Sequence, residues 1–414
     1  MISSKDSKVG YVYDEKYSWF DSGPLHIENL QPVEHWENVD TKRRIHSLLL
    51  VSGIYEKLLH LKARDATREE LLLFHTPEYV DKVQALSSGE GGKVGDEAYV
   101  CKMSYEIAAR SAGGVLSAVE AVLEGRVKSC YCLCRPPGHH ALSNEGMGFC
   151  VFNNIVIGAL HAKNIYSRHR GEDNCRPRIA IVDYDVHHGN GTESAFEDDD
   201  EVLFISLHQD NNYPLNEGGI RNDGSSTTIN VPLPPGSGSG AYRYAMRKIV
   251  VPAVENFRPD IILVSSGFDA SYMDPLSCMM LSSEDFKFIA SSLLSLASKF
   301  CEGRIIFVHE GGYSKHYTPF CAVGVFQAML ETGTSEKLSS IDPFLEEVNN
   351  WGYQNAQAHQ ERVVDEIARK HCLSQASDAS GVIRKKVKSM LAQLSKQESL
   401  SILQSLTSDL ERGD

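Results

Sequence analysis

Six short apolar segments recur along the chain, and each predicts a β-strand. They are Tyr11–Tyr13, Cys130–Cys134, Ile179–Asp183, Val202–Leu207, Ile261–Ser265 and Ile305–Val308. Stretches with the three-to-four-residue spacing of a helix lie between several of them, most clearly Ser104–Leu123, Asn154–Ile165 and Ser283–Phe300. Nearly continuous apolar strands that alternate with helices indicate a mainly parallel sheet covered on both faces. The pattern therefore predicts an α/β protein with a three-layer α/β/α domain.

The pattern changes after about residue 335, where glycines become rare and helical periodicity dominates, notably in Gln360–Lys370 and Val382–Leu410. We therefore predict one large domain over residues 1–335 and a C-terminal helical extension over residues 336–414 that packs on it or follows it. The segment Arg168–Arg178 is charged and contains a proline, which indicates a surface loop within the large domain.

Charge and hydropathy narrow the class of protein. The net charge is −14, which argues against direct nucleic-acid binding, because binding phosphates requires a basic surface, and favours a cationic protein partner. No apolar segment reaches the roughly 18 residues that a membrane span needs, and Met1–Asp6 has no signal-peptide core. We expect an intracellular protein, in the nucleus, the cytoplasm or both. The basic run Arg384–Lys388 is interpreted as a solvated helix face, with a nuclear-import signal as the alternative.

The ten cysteines are expected to be reduced thiols, as is usual in a long intracellular chain. Cys130, Cys132 and Cys134 alternate along a predicted strand, so their side chains should share one face of the sheet. Cys132 and Cys134 lack the two-residue gap of a zinc-binding pair. They are interpreted as buried thiols.

Polar residues follow five of the predicted strands directly. The segments are Arg135–His140, Asp183–Gly191, His208, Gly267–Asp269 and His309–Tyr313. In an open parallel sheet, ligands bind beyond the carboxyl ends of the strands. The sequence therefore predicts a functional site where these segments meet.

A divalent metal is the first ligand that this site predicts. In an extended segment the side chains of residues i and i+2 point the same way, so Asp185 and His187 can reach one ion, and Asp269 supplies a third ligand. Two carboxylates and one imidazole with open coordination positions suit catalytic Zn²⁺ first, with Fe²⁺ or Mn²⁺ possible. A calcium or structural site is the alternative for such a motif alone.

The remaining residues of the site predict acid–base chemistry. His139 and His140 are candidates for the general acid or base, and Asp183 and Asn190 are placed to bind the far ring nitrogen of each. Residues alone do not separate the two histidines, and an isolated histidine pair is more often a surface feature. Tyr313, after two glycines, is a candidate donor to a developing oxyanion.

Together these motifs resemble zinc-dependent histone deacetylases of the arginase/deacetylase fold. The matching segments are Gly10–Tyr13, Pro136–Ala141, Gly148–Asn154, Asp183–Gly191, Ser206–His208, Ser265–Ala270 and Gly311–Tyr313. They follow the family's order and cover roughly the first four-fifths of the chain, so the large domain is expected to be catalytic. Val186 and Asn190 resemble class II members, and Tyr313 stands where the nearly inactive class IIa enzymes carry a histidine, which implies an active enzyme.

The resemblance implies a role for each residue of the site. One zinc ion would be bound by Asp185, His187 and Asp269, with His140, backed by Asn190, transferring protons. His139, partnered by Asp183, would act mainly electrostatically. One or two potassium ions are also implied, the first held by Asp183, Ser206 and the backbone carbonyls of Asp185, His187 and Leu207, the second near Phe196 and Val202.

The resemblance also implies a narrow substrate channel. Its residues are Gly148, Phe149, Tyr213, Leu276 and Gly311. Class II relatives usually carry phenylalanine in place of Tyr213, and Leu276 replaces the glutamate of polyamine deacetylases, which favours a protein lysine. The segment His35–Val39 departs from the family, because it lacks the two prolines of the corresponding loop. The segment Asp96–Glu97 aligns only loosely and lies where a family residue accepts a hydrogen bond from the substrate backbone.

The function implied is hydrolysis of N6-acetyl-lysine in histones or other proteins, in the regulation of chromatin and transcription. The expected partners are acetylated histone tails or other acetylated proteins and possible subunits of a regulatory complex, with no membrane and no direct nucleic-acid contact. The alternatives are a deacylase of longer acyl-lysines or acetylpolyamines, and a scaffold of a repressor-type complex that binds acetyl-lysine. Arginase shares the fold but binds two manganese ions through other ligands, so it is the least favoured.

Overall fold

The computed structural model describes residues 8–24, 33–170, 176–221, 227–351 and 354–373. The chain divides into two compact units, residues 1–371 and 372–414, and the fold below is that of the first. The predicted helix Val382–Leu410 and the basic run Arg384–Lys388 lie outside the described residues.

Eleven strands are present in the described part of the chain. They are β1 (Val9–Val12), β2 (Leu58–Leu61), β3 (Gly92–Asp96), β4 (Ala98–Val100), β5 (Ser129–Cys132), β6 (Gly146–Met147), β7 (Ile179–Asp183), β8 (Val202–Gln209), β9 (Thr228–Leu233), β10 (Ile261–Ser266) and β11 (Ile305–His309). Eight of them form one sheet in the order β2-β1-β5-β11-β10-β7-β8-β9, and every pair in it is parallel. The other three form a small sheet in the order β4-β3-β6.

Twelve α-helices connect and cover these strands in the same described ranges. They are α1 (Asp40–Val51), α2 (Arg68–Leu71), α3 (Pro77–Ser88), α4 (Ser104–Leu123), α5 (Asn154–Arg170), α6 (Asn190–Phe196), α7 (Ser239–Ala245), α8 (Val251–Phe257), α9 (Ser283–Phe300), α10 (Thr318–Glu331), α11 (Leu345–Asn349) and α12 (Ala358–Lys370). A π-helical turn joins α7 to α8. No helix in the described residues is both long and apolar enough to span a bilayer.

Side chains alternate between the two faces of the large sheet. Cys130 and Cys132 pack in one core cluster with apolar residues of α4 and α5. The intervening Tyr131 points the other way, with its ring centroid 4.7 Å from that of Phe326 in α10. Helices therefore cover both faces, which confirms the three-layer α/β/α prediction. Cys134 belongs to the same cluster as Cys130 and Cys132, and all three are buried free thiols.

Two segments predicted from the sequence can be compared with the observed helices. α5 continues through Arg170, so the expectation that residues 168–170 form a loop was wrong. Helix α12 covers the predicted Gln360–Lys370 segment and packs against β9. The proposed division of the chain at residue 335 stays a prediction.

Candidate active site

The strand order brings the predicted site segments to one edge of the sheet. Strands β5, β11, β10, β7 and β8 are consecutive neighbours, and each predicted polar segment lies at or follows the carboxyl end of one of them. Because all five run parallel, these ends meet along the same edge. Segments that are far apart in sequence thus become adjacent there.

Asp185, His187 and Asp269 form a compact group of potential metal ligands. One ligand atom from each lies within 4.8 Å of the other two, and all three residues are buried. Nδ1 of His187 is 3.1 Å from a carboxylate oxygen of Asp185 and 3.1 Å from one of Asp269. Backbone N–H groups fix the carboxylates: Val186 donates to Asp269 at 2.8 Å, and Gly311 donates to Asp185 at 2.8 Å.

The charges of this group fit a bound cation. Two buried carboxylates face one imidazole, so the group as built carries more negative than positive charge. Burial and the charge of Asp185 raise the pKa of Asp269 to about 6. Burial lowers the pKa of His187, but its hydrogen bonds with the two carboxylates outweigh burial and raise the pKa to about 10. A divalent ion on these three atoms would relieve the repulsion, and three protein ligands are the number typical of a catalytic zinc site.

Two glycines make room for the carboxylates. A Cβ at Gly267 would overlap the carboxylate of Asp185, and a Cβ at Gly311 would overlap that of Asp269. Gly311, predicted to line the substrate channel, therefore lies directly behind the ligand group.

The two histidines have different partners. Nδ1 of His139 is 2.9 Å from the carboxylate of Asp183, whereas Nδ1 of His140 is 2.9 Å from the amide oxygen of Asn190. Burial lowers the pKa of His139, but the charges of Asp183 and Asp185 outweigh it and raise the pKa to about 10. Burial and the nearby His139 and His187 lower the pKa of His140 well below its usual value. The surroundings therefore favour the protonated form of His139 and the neutral form of His140.

A cavity of about 250 Å³ leads to these groups. Its lining residues are Trp36, Glu97, His140, Gly148, Phe149, His187, Asn212, Tyr213, Leu276 and Tyr313. Tyr313 packs edge-on against Phe149 at 5.9 Å between ring centroids, and Tyr213 lies edge-on to His140 at 5.2 Å. Four of the five predicted channel residues thus line one cavity, which is rich in aromatic side chains and reaches His187 of the metal-ligand group.

The segments His35–Val39 and Asp96–Glu97, which depart from or align loosely with the family pattern, each contribute one residue to the cavity lining. Trp36 lies in the loop without the two prolines and lines the cavity, as does Glu97. The hydroxyl of Tyr213 donates to Asp96 at 3.1 Å. Backbone bonds from Phe149 to Glu97 at 2.9 Å and from Gly148 to Asp96 at 3.0 Å join this segment to the cavity lining.

Two buried carboxylates of the site were not predicted from the sequence. Asp274 accepts from the backbone of Tyr313 at 2.7 Å, and Glu310 accepts from the backbone of Gly138 at 2.7 Å. Burial raises the pKa of Glu310 to about 7; burial and the charge of Asp269 raise that of Asp274 to about 8. Asp274 stands just before Pro275 and Leu276, and Glu310 stands just before Gly311. This proximity to predicted site residues was the only sequence feature that could have indicated them.

The predicted potassium ligands are partly brought together. Asp183 and Ser206 are paired in register on the neighbouring strands β7 and β8, and both are buried. The hydroxyl of Ser206 is 2.9 Å from Nδ1 of His208 and 3.2 Å from Nδ1 of His188. Potassium binding stays a prediction.

Fold and sequence together place the chain in a known enzyme family. A model of the histone deacetylase domain matches residues 35–329. That is well over half of the chain, so the protein belongs to the histone deacetylase family, a family of deacetylases and related amidohydrolases.

Similar proteins come from bacteria, plants and archaea. A histone deacetylase-like amidohydrolase of Pseudomonas aeruginosa is 42% identical over 336 residues, covering 78% of this chain and 86% of that protein. Histone deacetylase 8 of Arabidopsis thaliana is 35% identical, covering 75% of this chain and 83% of that protein. The crystal structure of the HDA15 HD domain superposes with a TM-score of 0.75 at 29% identity, over 92% of this chain and 99% of that one.

Proposed function

We propose that the protein is a zinc-dependent deacetylase that hydrolyses N6-acetyl-lysine in histones or other proteins. The observation that carries the proposal is the convergence of Asp185, His187 and Asp269 with His140 and Tyr313 at the end of one cavity. Trp36, Phe149, Tyr213 and Tyr313 line the cavity, and such an aromatic lining suits the apolar stem of an acyl-lysine side chain.

A zinc ion held by the three ligands would polarise the amide carbonyl and lower the pKa of the attacking water to about 7. His140 then moves the proton. Because its Nδ1 faces the amide oxygen of Asn190, that nitrogen carries the hydrogen, and Nε2 is left to accept a proton from the attacking water. The same nitrogen delivers a proton to the departing lysine amine.

His139 and Tyr313 stabilise the charge that develops. Asp183 favours the protonated form of His139, and in that form the imidazolium stabilises negative charge in its surroundings without itself losing a proton. Tyr313 lines the cavity, and burial raises the pKa of its hydroxyl well above the usual value, so it stays a hydrogen-bond donor over the physiological range. A donor placed at the oxyanion is worth roughly 10² to 10³ in rate.

Leu276 supports a protein substrate in preference to an acetylated polyamine. It lines the cavity and carries no charge with which to bind a cationic amine. Glu97 also lines the cavity, so a polyamine or a longer acyl-lysine must be compared directly in the assay. Assignment to class II, potassium binding, acetylated protein partners, participation in a regulatory complex and a nuclear or cytoplasmic location belong to the same proposal.

The test is turnover of an acetyl-lysine peptide by wild-type protein and by Tyr313→Phe. Loss of the hydroxyl should reduce kcat by on the order of 10²-fold, or about 3 kcal/mol of transition-state stabilisation. Zinc content should not change, since Tyr313 is not among the ligands. Tyr244→Phe, which removes a hydroxyl bonded to Asp365 outside the cavity, is the matched control and should retain full activity.

Three results would contradict the proposal or one of its parts. Equal rates for Tyr313→Phe and wild type would exclude the oxyanion role of Tyr313. Faster hydrolysis of acetylspermidine or of a longer acyl-lysine than of acetyl-lysine would change the substrate class but keep the hydrolase chemistry. Peptide binding without turnover in the zinc-loaded protein would favour an acetyl-lysine-binding scaffold.

A further inference from the structure

A single buried carboxylate joins two loops that line the cavity. One oxygen of Asp274 accepts from the backbone N–H of Tyr313 at 2.7 Å and from that of Ser314 at 3.3 Å. The other oxygen accepts from the backbone N–H of Leu276 at 2.9 Å. Tyr313 and Leu276 both line the cavity, so Asp274 connects two of its sides.

The backbone that carries this carboxylate is anchored within the loop that follows β10. The backbone N–H of Asp274 donates to Ser271 at 3.0 Å, and Ser271 forms a bridge with Leu281. The loop after β10 is thus anchored before it reaches Leu276. Asp274 therefore has a defined place from which to hold the Tyr313 loop.

Three N–H donors around one side chain require acceptors on both of its terminal atoms. A carboxyl group keeps acceptor capacity on both oxygens whether it is ionised or protonated, whereas the NH₂ group of an amide only donates. In Asp274→Asn the NH₂ group would face either the N–H of Leu276 or those of Tyr313 and Ser314. A buried N–H without an acceptor is costly, so one of the two loops should move.

We propose that Asp274 is a positioning residue that sets the distance between the Tyr313 hydroxyl and the Leu276 side of the cavity. It acts on the reaction through Tyr313 and on acyl selectivity through the width of the cavity. The proposal rests on the proposed function, because it assigns Tyr313 the task of stabilising the oxyanion.

The experiment is a double-mutant cycle between Asp274→Asn and Tyr313→Phe, with hydrolysis of acetyl-lysine and butyryl-lysine peptides measured at saturating zinc. Misplacement of a reacting group by about 1 Å costs on the order of 10²-fold in rate, so Asp274→Asn should lower kcat for acetyl-lysine by about that factor. In the Tyr313→Phe background the same change should cost only a few-fold, because the hydroxyl it positions is already absent. The ratio of butyryl to acetyl turnover should also change in Asp274→Asn.

Asp285→Asn is the matched control. Asp285 is also a buried carboxylate that accepts a backbone N–H, that of Ser282 at 3.0 Å, but it caps α9 and does not line the cavity. Its substitution should leave the butyryl-to-acetyl ratio at the wild-type value. If Asp274→Asn does not fold, as judged by its melting transition, Asp274→Glu keeps the carboxyl group, moves it by one methylene and is put through the same cycle.

Equal fold losses in the two backgrounds, together with an unchanged acyl ratio, would overturn the assignment of Asp274. Failure of the proposed function is a separate result, since it would appear as absence of turnover by the wild-type protein. In that case the same cycle is measured on the affinity for a labelled acetyl-lysine peptide. Identical affinities of wild type and Asp274→Asn would then overturn the positioning role.

Discussion

Replacement of Glu37 by glutamine should test how strongly the region beneath the site depends on one buried charge. The Glu37 side chain is 0% exposed and contacts two cations that are themselves buried, Lys42 at 2% and Arg135 at 3% exposure. Lys42 donates at 2.8 Å, and Nε of Arg135 donates at 2.9 and 3.0 Å to the two oxygens. Arg135 directly precedes the Pro136–His140 motif, so the network supports the site segment.

The expected cost follows from the charges left behind. Wild-type protein buries two cations around one anion, and Glu37→Gln would bury both cations without it. Removal of one partner of a buried ion pair costs about 3 to 5 kcal/mol, because the remaining charge is uncompensated. A guanidinium keeps its charge when it is buried, so we expect a loss within that range.

The assay is urea unfolding followed by tryptophan fluorescence, for which Trp36 next to Glu37 is a local probe. Glu255→Gln is the control: its pair with Lys299 is solvent-exposed, at 40% and 61%, and such pairs contribute about 1 kcal/mol or less. A free energy of unfolding for Glu37→Gln within 1 kcal/mol of wild type would refute the reasoning. It would mean that the two cations find other partners or water.

The same network predicts a direction for acid unfolding. Burial alone would raise the pKa of Glu37, but Arg135 and Lys42 outweigh it and hold the pKa well below its usual range. A glutamate whose pKa is lower in the folded than in the unfolded chain contributes its full stabilisation above the unfolded-state pKa of about 4.3. This contribution is lost as the pH falls from that value through the folded-state pKa. Wild type and Glu37→Gln should therefore converge in stability only below about pH 4.

Two further substitutions test the site itself. Asn190→Asp places a carboxylate against Nδ1 of His140 and should raise the pKa of that histidine by about 1 or more. The acid limb of the kcat/KM profile should then move to higher pH. An unmoved limb would contradict the role of His140 as base. Gly311→Ala adds a Cβ that overlaps the carboxylate of Asp269 and should reduce the zinc content, which is measured by metal analysis. Gly219→Ala is the control, because its Cβ meets no atom of the described residues within 4 Å, and it should keep the wild-type zinc content. Equal zinc content in the two alanine variants would show that the ligand group tolerates displacement.

The six strands that the sequence predicted are the six inner strands of the large sheet. β7 and β10 each begin with four consecutive apolar residues and are buried along their whole length, which is the pattern of an inner parallel strand. The two edge strands were missed. β2 is buried only at its ends, and β9 contains Pro232, which an edge strand tolerates but which weakens a strand pattern in sequence.

The members of the candidate site were predictable because each follows a predicted strand, but their charge states were not. His139 and His140 are adjacent in sequence, and they differ only because one contacts Asp183 and the other Asn190, residues about 50 positions away. Asp274 was missed for a related reason. A carboxylate that accepts backbone N–H groups from a loop 39 residues further along the chain has no local sequence pattern.

Because β7 and β10 are neighbours in the sheet, metal binding by the residues that follow them is coupled to folding. Asp185 and Asp269 are 84 residues apart in sequence and meet only when these two strands pair. An ion bound by both therefore binds the folded chain in preference to the unfolded chain. By mass action, free metal at 100 times its dissociation constant adds about 2.7 kcal/mol to the free energy of unfolding. The melting temperature of this protein should thus report the free metal concentration of its surroundings, even where no substrate is turned over.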